Sequence, residues 1–314
     1  MLSVKNIIDI DDLSSEDIKL IMENADSFGE VLERDLKKVP TLRGKTLVNL
    51  FFEPSTRTRT SFEIAAKRLS ADMINFSAST SSLKKGETII DTVNTIQSMI
   101  ADLLIIRHPD SGVLNFISRN INTPIINAGD GKHQHPTQAL LDLYTIKKSF
   151  KSFKDLNVAL VGDIANSRVA RSNSRLFKRM GMNVSLVSAP MMLPEDISYF
   201  GADIFYCIDD VIKDVDVLYM LRMQFERQQK KYYPSIKEYN RFLSLNTERF
   251  GMMKKGSIVM HPGPVNRGIE ISEAVMNLET EMPARIKINN QVNNGVAVRM
   301  ALIYLILMSR QENI

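Results

Sequence analysis

The chain has 314 residues, of which 44% are apolar and 24% charged, with only 14 Gly and 11 Pro. This is a globular composition, long enough for two domains at roughly 150 residues each, and it excludes disordered, collagen-like and linker-rich classes. The net charge of +4 comes from scattered basic pairs, such as Lys37-Lys38 and Lys254-Lys255, flanked by acids or apolar residues; that pattern describes a mixed solvated surface and points to no nucleic-acid partner.

The N-terminal Met1 to Asn6 lacks the charged-then-apolar pattern of a secretion signal, so a cytoplasmic location is expected. Ser14, followed three residues later by Asp17, reads as a helix start, and Ile18, Ile21, Met22, Ala25 and Phe28 then recur at helical spacing over 15–34. Short Val-, Ile- and Leu-rich runs follow at 47–52, 73–77, 103–107 and 125–127, and a second series at 158–161, 184–187, 204–207, 217–221 and 258–260. Such strands, alternating with helices, indicate parallel sheets covered on both faces, hence two doubly wound α/β domains. A helix opened by Pro136 runs over 136–153 and bridges the two series, while an apolar helix at 296–308 returns to the first domain. The expected division is 1–136 with 292–314, a bridging helix at 137–149, and a second domain at 150–287. The longest apolar runs, such as 301–308, fall short of the ~20 residues that cross a bilayer, so no membrane span is expected. The single Cys207 excludes an internal disulfide and a multi-cysteine zinc site; within the apolar run 204–208 it reads as a buried structural thiol.

In open α/β sheets ligands collect at the carboxyl ends of the strands. The first strand empties into Glu53-Pro54-Ser55-Thr56-Arg57-Thr58-Arg59, where the three hydroxyls and the guanidinium of 55–58 coincide with a helix start. Unpaired N–H groups and a partial positive charge there favour an anion, and Arg57 can fork onto phosphate oxygens. The plainer alternative is a capped helix with solvated arginines. No G-x-x-x-x-G-K-[ST] occurs, so this is no ATP loop. The third strand ends in Arg107-His108. The fourth leads through Gly129 and Gly131 to His133-Gln134-His135-Pro136-Thr137-Gln138, which aims His135 and Gln138 at one cleft. His133 and His135 form half a metal pair without a third ligand nearby, so no metal is expected. In the second series Gly162 lacks the companion glycines of a dinucleotide fingerprint, and the strand ends deliver Arg168, then Arg222 with Gln224, then His261-Pro262-Gly263-Pro264. Arg57, Arg107, Arg168 and Arg222 at strand termini describe a cleft for several negative charges, met by a phosphate and carboxylates.

Phe51-Phe52-Glu53-Pro54-Ser55-Thr56-Arg57-Thr58-Arg59 and His135-Pro136-Thr137-Gln138 resemble the aspartate/ornithine carbamoyltransferase family along essentially the whole chain. His-Pro-Thr-Gln in place of His-Pro-Cys-Gln, together with Arg222-x-Gln224, points to its aspartate branch. The resemblance implies transfer of a carbamoyl group from carbamoyl phosphate to L-aspartate in pyrimidine biosynthesis, with no metal or organic cofactor; the open alternative is another amine acceptor. It implies that Ser55, Thr56, Arg57 and Thr58 hold the phosphate. Thr58, Arg107 and His135 would meet the carbonyl oxygen, Gln138 and the Pro262 backbone the carbamoyl nitrogen, and Arg168, Arg222 and Gln224 the aspartate carboxylates. Ser81 and Lys85 match a loop that enters a neighbouring subunit's site, which implies a homotrimer with shared sites. It leaves association with a regulatory chain or a dihydroorotase open. Gly263 departs from the Leu or Ala of better-known members, which predicts a looser wall there.

Overall fold

Helix α1 (Ser15–Glu33) starts where the Ser14 hydroxyl accepts the Asp17 N–H and the Asp17 carboxylate accepts the Ser14 N–H in return, a reciprocal cap that satisfies two end donors. Its buried face carries Ile18, Ile21, Met22, Ala25 and Phe28, the stripe expected from their spacing. The computed structural model describes residues 1–77, 88–224 and 235–309. The chain divides into two compact units, Met1–Tyr144 with Val292–Ile314, and Thr145–Gln291.

In the first unit strands β1 (Thr46–Phe51), β2 (Asp72–Ser77), β3 (Leu103–His108) and β4 (Ile125–Asp130) alternate with helices α2 (Thr56–Arg68), α3 (Ile89–Ser98) and α4 (Val113–Asn120). All pairings are parallel, in the order β2-β1-β3-β4. Val48, Leu50, Leu104 and Ile106 pack against Val93, Ile96, Leu114 and Ile117 of α3 and α4. Strands covered on both faces need no alternation, which is why they read as continuous apolar runs. Helix α5 (Pro136–Ser149) carries the chain from the first unit into the second.

In the second unit β5 (Asn157–Val161), α6 (Arg168–Arg179), β6 (Asn183–Val187), β7 (Asp203–Phe205) and β8 (Val217–Met220) are followed by α7 (Ile236–Phe242), α8 (Thr247–Met252), β9 (Ile258–Met260) and α9 (Glu273–Asn277). The sheet order is β7-β6-β5-β8-β9, again parallel. Helix α10 (Ile288–Met308) follows, and from Val292 onward it belongs to the first unit.

Four expectations need correction. Helix α10 has 21 residues rather than the 13 of its apolar stretch, and by length and hydropathy it matches a membrane span; 72% of that window is buried in protein, as in a core helix. Helix α5 stops at Ser149 instead of continuing to 153. Strand β7 ends at Phe205, so Cys207 lies beyond it, half-buried, with its thiol donating to Asp209 Oδ2 at 3.3 Å. Burial pushes that thiol's pKa up. Finally, only Arg107 lies in a strand and Arg222 just beyond one; Arg57 and Arg168 stand in the first turns of α2 and α6.

The strand orders locate the ligand crevices. In the first sheet the chain moves outward from β1 to β2 and then crosses to β3 on the other side of β1. In the second it moves outward from β5 through β6 and β7, then crosses to β8. Connections that leave in opposite directions open a gap at the carboxyl ends of β1 and β3, and of β5 and β8.

Candidate active site

At the first switch point Arg107 of β3 is in register with Phe51 of β1, and Phe52 N–H donates to the Arg107 carbonyl at 2.9 Å. The Arg107 guanidinium is therefore held beside the loop that enters α2. Its Nη2 lies 2.7 Å from Glu53 Oε1, and its Nη1 donates to the Ala128 carbonyl at 3.2 Å. Glu53 stands inside the motif that marks this loop, and its pairing with Arg107 emerges only from the β1–β3 register.

Helix α2 begins differently from its neighbours. Ser55 occupies its N-cap with extended backbone, yet among the described residues its hydroxyl makes no capping bond. The Ser14, Thr88 and Ser167 side chains cap α1, α3 and α6 in the ordinary way. An unused hydroxyl beside uncapped N–H groups at the positive end of a helix is suited to a bound anion. Thr58 is buried in that first turn, while Thr56 and Arg57 are exposed and Ser55 is half-buried.

The fourth strand delivers His135 and Gln138 through a loop organised by the buried Asp130. Its carboxylate accepts the Gln134 and Gly112 backbone N–H groups and pairs with His133 Nδ1 at 3.0 Å. His133 Nε2 lies 3.4 Å from Asp9. Hydrogen bonds to Asp130 and then Asp9 push the His133 pKa up to about 9, against the effect of burial. His133 thus serves a clamp between two carboxylates and is not the metal partner of His135. His135 and Gln138 are both buried at the start of α5. Thr137 Oγ lies 3.4 Å from His135 Nδ1, and Gln138 Nε2 donates to Asp142 Oδ1 at 3.0 Å.

At the second switch point, the buried Asp163 after β5 accepts from both the backbone N–H and the Nδ2 of Asn166. Ser167 Oγ caps α6 by accepting the Ala170 N–H at 3.1 Å, and the buried Arg168 follows as the first helical residue. A guanidinium at the positive end of a helix opposes the macrodipole, and an anion reverses that cost. Arg222 and Gln224 are half-buried beyond β8. Their loop is fixed by Glu270, a fully buried carboxylate that accepts Met223 N–H at 2.7 Å, Asn266 N–H at 2.6 Å and Asn266 Nδ2 at 2.7 Å. Burial pushes the Glu270 pKa up, and these donors oppose the shift. One acid thereby ties the loop after β8 to the loop after β9, which carries Pro262 and Gly263. There the His261 N–H donates to Gln291, and His261 Nδ1 accepts the Gly263 N–H at 2.8 Å, which leaves the ring proton on Nε2. Gly263 has φ +65°, a left-handed conformation that favours glycine.

The described residues of the first unit thus gather Ser55, Thr56, Arg57, Thr58 and Arg107 at one switch point, with His135 and Gln138 at the neighbouring strand end. Those of the second gather Arg168, Arg222, Gln224, Pro262 and Gly263. Ser81 and Lys85 lie outside the described residues. Glu53, Asp142 and Glu270 carry partners that sequence reasoning had not given them; the four-residue helical step from Gln138 to Asp142 was the one available signal.

Residues 5–148 match the model for the aspartate/ornithine carbamoyltransferase carbamoyl-P binding domain, and residues 154–306 the model for the Asp/Orn binding domain. The chain is 51% identical over 302 residues to the aspartate carbamoyltransferase catalytic subunit of Syntrophotalea carbinolica, covering 96% of this chain and 95% of the relative. Among solved structures it resembles the aspartate transcarbamoylase of Trypanosoma cruzi in complex with N-(phosphonacetyl)-L-aspartic acid, at TM-score 0.86 and 31% identity, with 96% of each chain covered. It also resembles the catalytic subunit of M. jannaschii aspartate transcarbamoylase, at TM-score 0.83 and 35% identity, covering 98% of this chain and 99% of the other.

Proposed function

This chain belongs to the aspartate/ornithine carbamoyltransferase family, and from that premise we propose that it transfers the carbamoyl group of carbamoyl phosphate to the amine of L-aspartate. The products are N-carbamoyl-L-aspartate and phosphate. The observation that carries the reading is the pair of switch points, each with guanidinium groups and the first with a helix start left open to an anion, in a chain half identical to aspartate carbamoyltransferase catalytic subunits.

Ser55, Thr56, Arg57 and Thr58 hold the phosphate, using the N–H groups that Ser55 leaves uncapped. Arg168, Arg222 and Gln224 bind the two carboxylates of aspartate; forked guanidinium contacts suit planar carboxylates. The neutral amine attacks the carbamoyl carbon, and negative charge grows on the carbonyl oxygen. Thr58, Arg107 and His135 stabilise that oxygen, one such donor being worth about 3–4 kcal/mol. For Arg107 this means sharing or exchanging Glu53 for the substrate. The C–O bond to phosphate then breaks, the electron pair leaves with phosphate, and phosphate takes the amine proton. Gln138 and the Pro262 carbonyl receive the carbamoyl N–H groups. The protein's own residues supply binding, orientation and charge stabilisation.

The reading extends to a cytoplasmic homotrimer serving pyrimidine biosynthesis, in which Ser81 and Lys85 complete a neighbouring subunit's site. The deciding assay offers aspartate, ornithine and putrescine side by side with carbamoyl phosphate. Aspartate alone is expected to be carbamoylated, and preference for either cationic acceptor overturns the assignment. Mixing inactive Lys85→Ala and His135→Ala chains under subunit exchange tests the shared site: returning activity supports it, and exchange without activity removes it.

A further inference from the structure

Behind Gln138 lies a buried charged layer for which the reaction above has no use. Asp142 sits one helical turn along α5 and accepts a hydrogen bond from Gln138 Nε2 at 3.0 Å. Arg299, in α10, is buried; its Nη1 donates to Ser61 Oγ of α2 at 2.9 Å, and its guanidinium lies 5.0 Å over the Phe62 ring. Among the described residues its Nε has no hydrogen-bond partner. Burial draws the Arg299 pKa down to about 10, while the charge of Asp142 opposes the fall and the charge of Arg107 adds to it. Space for this guanidinium depends on Gly295, one turn earlier in α10. A Cβ there would stand 2.6 Å from Arg299 Nη1 and 3.1 Å from Leu141 Cδ2.

A side-chain amide has a donor end and an acceptor end of nearly equal shape, and only its partners decide which way round it sits. A carboxylate only accepts, so Asp142 takes the NH₂ end of Gln138 and leaves Oε1 as the acceptor for a ligand. Asp142 and the nearby Arg299 carry opposite charges that attract one another, which steadies the carboxylate as the acceptor of the amide's NH₂ end. We propose that Asp142 and Arg299 are positioning residues that fix the Gln138 amide with its oxygen presented to the donor substrate, so that the site selects an acyl phosphate bearing an N–H. The inference rests on the reading of Gln138 as the group that meets the carbamoyl nitrogen. It adds a basis for preferring carbamoyl phosphate to acetyl phosphate, which has a methyl group in place of the NH₂ and would leave Oε1 unpaired.

The test compares the KM for carbamoyl phosphate with the Ki values of acetyl phosphate and inorganic phosphate in full-length protein. For Asp142→Asn, whose amide can donate as well as accept, the KM for carbamoyl phosphate is expected to rise about tenfold while both Ki values stay within about twofold. Gly295→Ala pushes the Arg299 guanidinium aside, and the same selective loss is expected at about threefold. Equal weakening of all three ligands, or an unchanged carbamoyl-to-acetyl preference, overturns the proposal, as does failure of both variants to fold. Gln138→Ala separates the two layers of the argument. If it keeps the preference for carbamoyl phosphate, the reading of Gln138 is wrong; if it loses the preference and Asp142→Asn keeps it, only the positioning role fails.

Discussion

The starts of α2 and α6 occupy equivalent places, each following the strand at its sheet's switch point, and each has serine at the N-cap. Ser167 spends its hydroxyl on the Ala170 N–H of its own helix, whereas Ser55 makes no capping bond. The buried Asp163 and Asn166 close the loop before α6, while the loop before α2 contains Glu53, paired with Arg107 from the adjacent strand. The second unit thus satisfies its own backbone and offers guanidinium groups; the first leaves backbone donors open as well. That difference matches the two ligands. A tetrahedral phosphate uses several converging N–H and O–H donors, and planar carboxylates are met by a fork.

The largest effect is expected at α2. Arg57→Ala should lower turnover by at least about 100-fold, as for loss of a transition-state donor, and steady-state assays within about threefold of wild type would show Arg57 to be merely solvated. Next is a pH effect confined to the first unit. The His133 pKa is raised to about 9 in the folded chain, above the ordinary 6.5. Its stabilisation is therefore complete below pH ~6.5 and lost as pH rises through about 9, amounting to about 3 kcal/mol. Urea unfolding across that window should show the decline, and His133→Gln should flatten it.

Arg222→Ala should raise the KM for aspartate about tenfold while carbamoyl phosphate affinity, measured by calorimetry, changes by less than about twofold. Equal losses for both ligands would erase the distinction between the two anion sites. The smallest and sharpest contrast is between the two serines. Ser167→Ala should cost about 1 kcal/mol in urea unfolding, the usual worth of a cap, and Ser55→Ala less than about 0.3 kcal/mol. Ser55→Ala should instead weaken inhibition by inorganic phosphate about fivefold, since a hydrogen bond to a charged ligand is lost. If Ser55→Ala destabilises as much as Ser167→Ala, α2 is an ordinary capped helix.

Much of this was legible without coordinates because it is local. Apolar spacing marks α1, β-rich runs mark the strands, and motif residues at 53–59 and 135–138 lie within one or two turns of one another, so their joint presentation follows from the chain's own path. The cap bond of Ser14 with Asp17 was legible for the same reason. Tertiary structure alone decided the partners. Arg107 meets Glu53 across 54 positions because β1 lies between β2 and β3, and Arg299 reaches Ser61 across 238 because α10 returns to the first unit. Tertiary structure also decided that the apolar α10 is buried in protein, that Glu270 joins two loops, and that Ser55 does not cap the helix it precedes. Side-chain periodicity records which face of an element is covered. Which element covers it, and which charges then face each other in the low-dielectric interior, depends on strand order and register, set by the packing of the whole unit.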